Sequence, residues 1–364
     1  MSKTSLAAVF HDPAQPLTFE RYELPVPGRG EVLVRITCAT LCGSDVHTYL
    51  GHRPTPVPTV LGHEIMGVVE RLDPDQTVSD HAGRRLEVGD RITWSIAASC
   101  GDCFFCDSDV PQKCEHLFKY GHEEIVPTHP LSGGLADYCH LAAGTAIFRV
   151  PETLPDVVAC PANCATATVA AALRVGGDCR GLAVLIQGAG MLGLTAAAMA
   201  RSRGARDVLV CDVNENRLER AAAFGATRTL VISEHEQDLI DEVRGLTAGR
   251  GVDLAIELSG APSAVETGVK LPRIGGRYVL IGSTRPTGPI ALDPEAVVRR
   301  CLTIVGNHNY RPDDLGVAVK FLDNHGGEFP FADLVHDKFS LPKAAAAFDQ
   351  AILGQELRVA VRPE

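Results

Sequence analysis

Short runs rich in Val, Ile, Leu and Thr, punctuated by glycine and proline, recur through the first part of the chain, most clearly at 31–39, 65–72, 90–96 and 134–141. Apolar runs bounded in this way predict strands, so this part reads as a mainly antiparallel β domain. The stretch 73–89 is polar and carries Pro74, Gly83 and a cluster of charges, which predicts a solvated surface loop. From about residue 165 the texture changes to strand–helix alternation. An apolar run at 182–187 leads into a glycine-rich turn and an alanine-rich helical stretch that ends near Arg203. Further strands fit 207–211, 227–232, 252–258, 277–281 and 302–305, with helical stretches at 214–224, 236–247 and 264–271. Such alternation predicts an α/β domain with a parallel, doubly wound sheet, and a chain of 364 residues has room for both domains.

Composition narrows the setting. The apolar fraction of 45% and charged fraction of 22% are those of a soluble globular protein, and a net charge of -11 argues against a nucleic-acid partner. Nothing approaches the roughly 18 apolar residues of a membrane span, and the N-terminus lacks the apolar core and small-residue cleavage site of a secretory signal. A cytoplasmic location is expected. There the twelve cysteines are better read as metal ligands and buried thiols than as a disulfide framework.

Three constellations carry chemistry. Cys100, Cys103, Cys106 and Cys114 are spaced by two, two and seven residues, which suits a closed four-thiolate zinc site of structural type. Leu41-Cys42-Gly43-Ser44-Asp45-Val46-His47, followed by Gly62-His63-Glu64, offers a thiolate and an imidazole that zinc prefers, with Asp45 able to orient His63. Taken alone, Cys42 and His63 fit equally a small buried thiol and a core histidine. The third is Gly188-Ala189-Gly190-Met191-Leu192-Gly193, which follows a strand, opens a helix and precedes Asp212 by nineteen residues at the end of the next strand. Gly188 permits the turn, Gly190 lets backbone approach a pyrophosphate, and Gly193 lets helix and strand pack closely. Asp212 would accept hydrogen bonds from the adenosine ribose and repel a 2'-phosphate, so NAD is expected and not NADP. Arg217, just beyond it, is counted with the cofactor residues.

With these residues in the same order stand Gly133-Gly134-Leu135-Ala136-Asp137-Tyr138, and together they resemble the zinc-containing alcohol dehydrogenase family of medium-chain dehydrogenases over nearly the whole chain. The resemblance implies a GroES-like catalytic domain from 1–165 and 308–364, with the structural zinc lobe at about 97–116, and an inserted Rossmann domain from 166–307. It implies a cleft between them for zinc and nicotinamide. It also implies a third catalytic ligand four residues before a threonine, a spacing that Cys164 and Thr168 fit, whereas Cys160 is followed at that distance by Cys164 and is assigned as a buried thiol. Two zinc ions per chain are thus expected. Cys42, His63 and Cys164 would hold the catalytic one, with Glu64 close behind it. Zinc would act as a Lewis acid on an alcohol whose carbon passes hydride to NAD, the proton leaving through Ser44 and a cofactor ribose hydroxyl to His47. Thr168 would pack on the nicotinamide and Arg358 would reach the pyrophosphate. A homodimer or homotetramer, built by extending the nucleotide-domain sheet, is expected from the same resemblance.

The substrate is the least determined. By spacing from Cys42, Arg53 falls where the family often has an apolar or aromatic residue beside the substrate. His52, Lys119, His122, Asn307 and His308 are further candidates for the cleft, and the basic set, Arg53 and His122 foremost, points to a polar or anionic alcohol. The stretch 113–123 resembles a subgroup associated with phosphonate catabolism. A polyol dehydrogenase of the same family and a catalytically silent dinucleotide-binding protein are the alternatives. Polyol enzymes commonly replace the third cysteine ligand by glutamate, which this chain does not.

Overall fold

The computed structural model describes residues 3–286 and 288–363. The chain divides into two units, one of Met1–Cys164, Arg311–Gly327 and Phe331–Glu364, the other of Ala165–Tyr310 and Glu328–Pro330. Re-entry into the first unit comes at Arg311, because Asn307 still donates its amide to Leu280 at the end of the second unit's sheet.

Among the described residues the main sheet of the first unit runs Ile147–Arg149, Arg91–Trp94, Glu64–Leu72, Val32–Leu41, Arg358–Arg362, Val335–Ser340, with Tyr138–Leu141 also paired to Val32–Leu41. All neighbours are antiparallel except the last two, which are parallel. The C-terminal strand joins this unit because Val359, Ala360 and Val361 pair with Leu41, Thr40 and Ala39. Leu33, Ile36, Ile65, Trp94, Tyr120 and Phe348 are buried in its core, each contributing about 1.5–3 kcal/mol through removal of apolar surface from water. The polar segment 73–89 is without helix or strand, as its composition predicts. It is nevertheless anchored: Leu86 is buried in the core and Asp80 accepts from the amides of Ala82 and Arg84.

Two glycine motifs hold the segment that carries His63. The Gly134 amide donates to Gly62 O (2.7 Å) and the Leu135 amide to Leu61 O (3.0 Å). A Cβ on Gly133 would sit 1.9 Å from Val60 O, so only glycine permits this approach.

The second unit carries six strands among the described residues, in the order Arg228–Val231, Asp207–Asp212, Ala183–Gln187, Val252–Glu257, Pro272–Leu280, Thr303–Gly306. All are parallel, and this order is that of the dinucleotide-binding doubly wound sheet. The expected strand at 277–281 begins earlier, at Pro272, because the register shifts between Val252 and Leu254 and admits Gly275 and Gly276 without ending the strand. Their composition reads as punctuation. Elements of the tail, including the helices Pro312–His325 and Ala344–Ile352, were not predicted. No single helix among the described residues is long and apolar enough to cross a membrane, and all twelve cysteines are free thiols.

Candidate metal and cofactor sites

The residues after Cys42 form a short helix, Gly43–Tyr49. Asp45 makes this possible by accepting the Cys42 amide (2.9 Å), which satisfies one of the free donors at the helix start. The helix is pinned by Tyr49, whose ring stacks on Phe348 at 4.1 Å and 8°. The other oxygen of Asp45 lies 2.9 Å from His63 Nδ1, and the pair is fully buried. One carboxylate therefore caps the helix and orients the imidazole, leaving His63 Nε2 to face the sulfurs of Cys42 and Cys164.

Donor atoms of Cys42, His63, Glu64 and Cys164 lie within 4.8 Å of one another. Glu64 is already committed. Its Oε2 accepts from Thr40 Oγ1 (2.6 Å) and Arg358 Nε (2.7 Å), and its Oε1 from Arg358 Nη2 (2.8 Å). This leaves two sulfurs and one imidazole, with Cys42 and Cys164 half-buried, the donor set of a zinc site with one position open. The Cys42 thiol is held well below the usual thiol range, first by a hydrogen bond from Cys164, with the Arg358 and His63 charges adding. Cys164 is pushed well above the usual thiol range by its hydrogen bond to Cys42 and by burial, so a second thiolate there needs a cation beside it, and two sulfurs with an imidazole fit Zn2+.

Arg358 is where the structure departs most from expectation. It is buried, its Nη2 also lies 3.4 Å from Cys42 Sγ, and Nη1 donates to Leu357 O. The guanidinium expected at the cofactor pyrophosphate is here bound two-pronged to Glu64, behind the metal donors. Thr40 and Asn163, whose Nδ2 donates to His63 O (3.0 Å), belong to the same shell. Nothing in the sequence marked them, because a strand threonine and a 3-10 asparagine have many ordinary uses. Cys160 is a buried thiol as read: it donates to Glu64 O (3.2 Å) and Cys38 O (3.4 Å), and burial raises its pKa well above the usual range.

Ser44 Oγ stands 3.4 Å from His63 Nε2, at the edge of the donor set. His47 is half-buried one turn further along the same helix, its ring 5.8 Å from that of His52. His122 is buried with its ring 5.4 Å from the His63 ring. Arg53 and Lys119 act electrostatically on His122 and on each other. The structure thus brings His122 beside His63, with Arg53 and Lys119 within electrostatic range of His122, while Asn307 and His308 belong to the other unit.

Cys100, Cys103, Cys106 and Cys114 lie together around Phe104–Asp107. Their sulfurs are separated by 3.4 Å (Cys100–Cys114), 3.5 Å (Cys103–Cys106) and 3.8 Å (Cys103–Cys114). A zinc tetrathiolate with bonds of about 2.3 Å has its sulfurs about 3.8 Å apart, so the group is already near metal-binding shape. Backbone amides of Glu115 and Cys106 hold the Cys103 thiol down, to about 6.

In the second unit Gly188 has φ +101°, and a Cβ on Gly193 would fall 1.7 Å from Gly188 O. Gly190, by contrast, meets nothing within 4 Å. Protein packing does not require a glycine there, and the space beside it fits a pyrophosphate at the start of the helix Met191–Ser202, whose first turn holds Met191 and Leu192. Asp212 accepts the amides of Ala189 (2.6 Å) and Asn214 (2.8 Å). It lines a cavity of about 360 Å³ together with Gly188, Ile232, Glu234 and Ser259, and no lysine or arginine is among the lining residues. Arg217 is not among them either; its amide is capped by Asn214 Oδ1 on the helix Glu215–Ala221. Thr168 lies half-buried on Ala165–Gly176.

Fold and donor sets define a zinc-dependent oxidoreductase with a nicotinamide dinucleotide cofactor. A family model described as an alcohol dehydrogenase GroES-like domain matches residues 28–152, and one described as a zinc-binding dehydrogenase matches 192–324. A 5-exo-hydroxycamphor dehydrogenase of Pseudomonas putida is 31% identical over 343 residues, 91% of each chain. An L-threonine 3-dehydrogenase of Deinococcus deserti is 31% identical over 345 residues, 93% of each. An alcohol dehydrogenase from Thermotoga maritima superposes with a TM-score of 0.93 at 31% identity, covering 100% of both chains. The chain belongs to the zinc-type alcohol dehydrogenases of the medium-chain dehydrogenase family, and is an NAD-dependent oxidoreductase of alcohols.

Asp212→Asn keeps an oxygen for the Ala189 amide and removes the charge. Charge-assisted hydrogen bonds contribute about 1.5–3 kcal/mol each, so kcat/KM with NAD is expected to fall about ten- to hundredfold while that with NADP holds or rises. An unchanged ratio between the two cofactors would remove Asp212 from the ribose site.

Proposed function

We propose that this enzyme oxidises a polar or anionic alcohol, or reduces the corresponding carbonyl, with a hydroxyalkylphosphonate as the leading candidate. The observation that carries the reading is His122 Nε2, buried and without a hydrogen-bond partner among the described residues, beside the His63 ring and under the field of Arg53 and Lys119. A buried imidazole nitrogen without a partner costs about 1–3 kcal/mol, and a substrate oxygen would satisfy it. Burial first, then the charges of His63, Lys119 and Arg53, keep His122 well below its usual range. It is therefore a neutral hydrogen-bonding group, and the cations are Arg53 and Lys119. The relatives do not decide the matter, one being named for threonine and the other for hydroxycamphor.

In this reading Cys42, His63 and Cys164 hold zinc, which when bound supplies a Lewis acid for the alcohol oxygen. Asp45 keeps His63 Nδ1 engaged, so that Nε2 faces the metal. Ser44 would accept the alcohol proton, and His47, one turn further along the same helix, would serve as the base that finally holds it. Thr168 would pack on the nicotinamide, and Gly190 and Asp212 would hold the pyrophosphate and the adenosine ribose. Cys100, Cys103, Cys106 and Cys114 hold the second, structural zinc. The enzyme acts in the cytoplasm as a homodimer or homotetramer, with Thr303–Gly306 the sheet edge open to extension.

NAD reduction should be assayed on plain alcohols, polyols and hydroxyalkylphosphonates. Arg53→Ala and Lys119→Met are expected to raise KM for the phosphonates about ten- to hundredfold, the loss of one charged hydrogen bond, and to leave plain alcohols unchanged. Lys119 has its pKa lowered to about 8 by burial, with Arg53 and Lys113 adding and Cys164 and Asp45 opposing. Its charge is thus complete only well below that pH, and phosphonate affinity should weaken as pH rises through about 8. Wild-type turnover of plain alcohols equal to that of the phosphonates, with KM for the phosphonates unchanged in both variants, would refute the anionic-substrate reading and leave the dehydrogenase itself intact.

A further inference from the structure

We infer that Glu31, His129 and His140 form a further metal site, separate from both cysteine-containing groups, that takes a divalent first-row transition cation such as Zn2+, Co2+ or Ni2+. Glu31 immediately precedes the strand Val32–Leu41, and His140 lies on Tyr138–Leu141, which pairs with that strand at Leu33. His129 belongs to the connection between, held by its amide on Val126 O (2.9 Å). One potential ligand atom from each of the three lies within 4.8 Å of the others. Glu31 Oε2 is 3.0 Å from His140 Nε2, and Glu31 Oε1 is 3.5 Å from His129 Nε2.

A structural tie between Glu31 and His140 would explain one of these contacts but not the other. The two imidazoles are stacked nearly parallel, 4.5 Å apart at 10°, both directed at the same carboxylate. His129 Nε2 is buried and has no hydrogen-bond partner among the described residues. The Gly28 amide (2.8 Å) and His140 Nε2 both engage Oε2, which fixes the carboxylate and leaves Oε1 turned to His129. Two imidazoles and one carboxylate, converging with a nitrogen unsatisfied, are the donor set of a cation that prefers nitrogen to oxygen, which favours Zn2+, Co2+ or Ni2+ over Mg2+ and Ca2+. Three protein ligands leave a position for water, and the partial exposure of His129 and Glu31 provides its access. The position in the fold gives the ion a bracing role. It would tie the start of Val32–Leu41 to the connection that leads into Gly133-Gly134, and so to the support of His63.

The test uses the whole enzyme with its cysteine sites filled by zinc, titrated with Co2+. Wild type is expected to bind one further equivalent, with weak visible bands and none of the intense near-ultraviolet sulfur-to-cobalt absorption. His129→Ala and Glu31→Gln should each lose that equivalent while retaining the cysteine-bound zinc. Glu31→Gln keeps the side-chain shape and an oxygen for the Gly28 amide, and decides the matter if His129→Ala does not fold. Saturation of wild type with no additional equivalent, or its persistence in Glu31→Gln, would overturn the assignment.

Discussion

Cys164→Ser is expected to lose the zinc of the Cys42, His63, Cys164 group and to keep that of the four-cysteine lobe, so that cysteine-bound zinc per chain falls from two to one. A serine hydroxyl stays protonated where a thiol ionises, and the remaining thiolate and imidazole form too small a donor set for firm binding. The Lewis-acid contribution to such a reaction is several kcal/mol. At about 1.4 kcal/mol per decade, its loss lowers kcat by about a thousandfold or more. The control is Cys160→Ser. Its thiol is turned to the carbonyls of Cys38 and Glu64 and lies outside the donor group, so both zinc ions should remain. Metal analysis of the two variants, with circular dichroism to show that the fold persists, would exchange their roles if Cys160→Ser proved to be the one that loses zinc.

Arg358→Met is expected to be the most destabilising single change behind the site. Glu64 and Arg358 are both buried, and the guanidinium takes up both carboxylate oxygens. Removing one partner of a buried ion pair leaves the other charge uncompensated, at a cost of about 3–5 kcal/mol. The Thr40 hydroxyl alone cannot replace two charged donors. Arg358→Met combined with Glu64→Gln should recover much of that loss, because no buried charge is then left alone. The measurement is the shift in the chemical denaturation midpoint of the single and double variants. KM for NAD, read on the double variant, separates a second role: an increase there, with stability recovered, means that Arg358 also reaches the pyrophosphate. A double variant as unstable as the single one would mean that the pair is not what holds Arg358 in place.

The zinc lobe and the glycine turn were legible because their chemistry is local. Four cysteines within fifteen residues, and three glycines between a strand and a helix, place their own atoms whatever the rest of the chain does. The helix Gly43–Tyr49 was less so. Gly43, Ser44 and Asp45 are turn formers by composition, and only the capping of Cys42 by Asp45 converts them into a helix start. The tail was hardest to read, since Arg358–Arg362 acquires its meaning from pairing with a strand more than three hundred residues earlier.

Cys42, His63 and Cys164 could be named as one ligand set because the resemblance to the zinc-containing alcohol dehydrogenases implies it, and Asp212 because it ends the strand after the glycine turn. What the tertiary structure alone decided is which groups stand behind those ligands. Glu64 is withdrawn from the metal by Arg358 and Thr40, Cys160 is turned to backbone carbonyls, and His122 is brought beside His63 with one nitrogen unsatisfied. Each of these depends on strands and loops distant in sequence that converge only when the sheet closes. A buried charge or polar atom is defined by its partners and not by its own identity, so a linear reading could name these residues but not say what each one does.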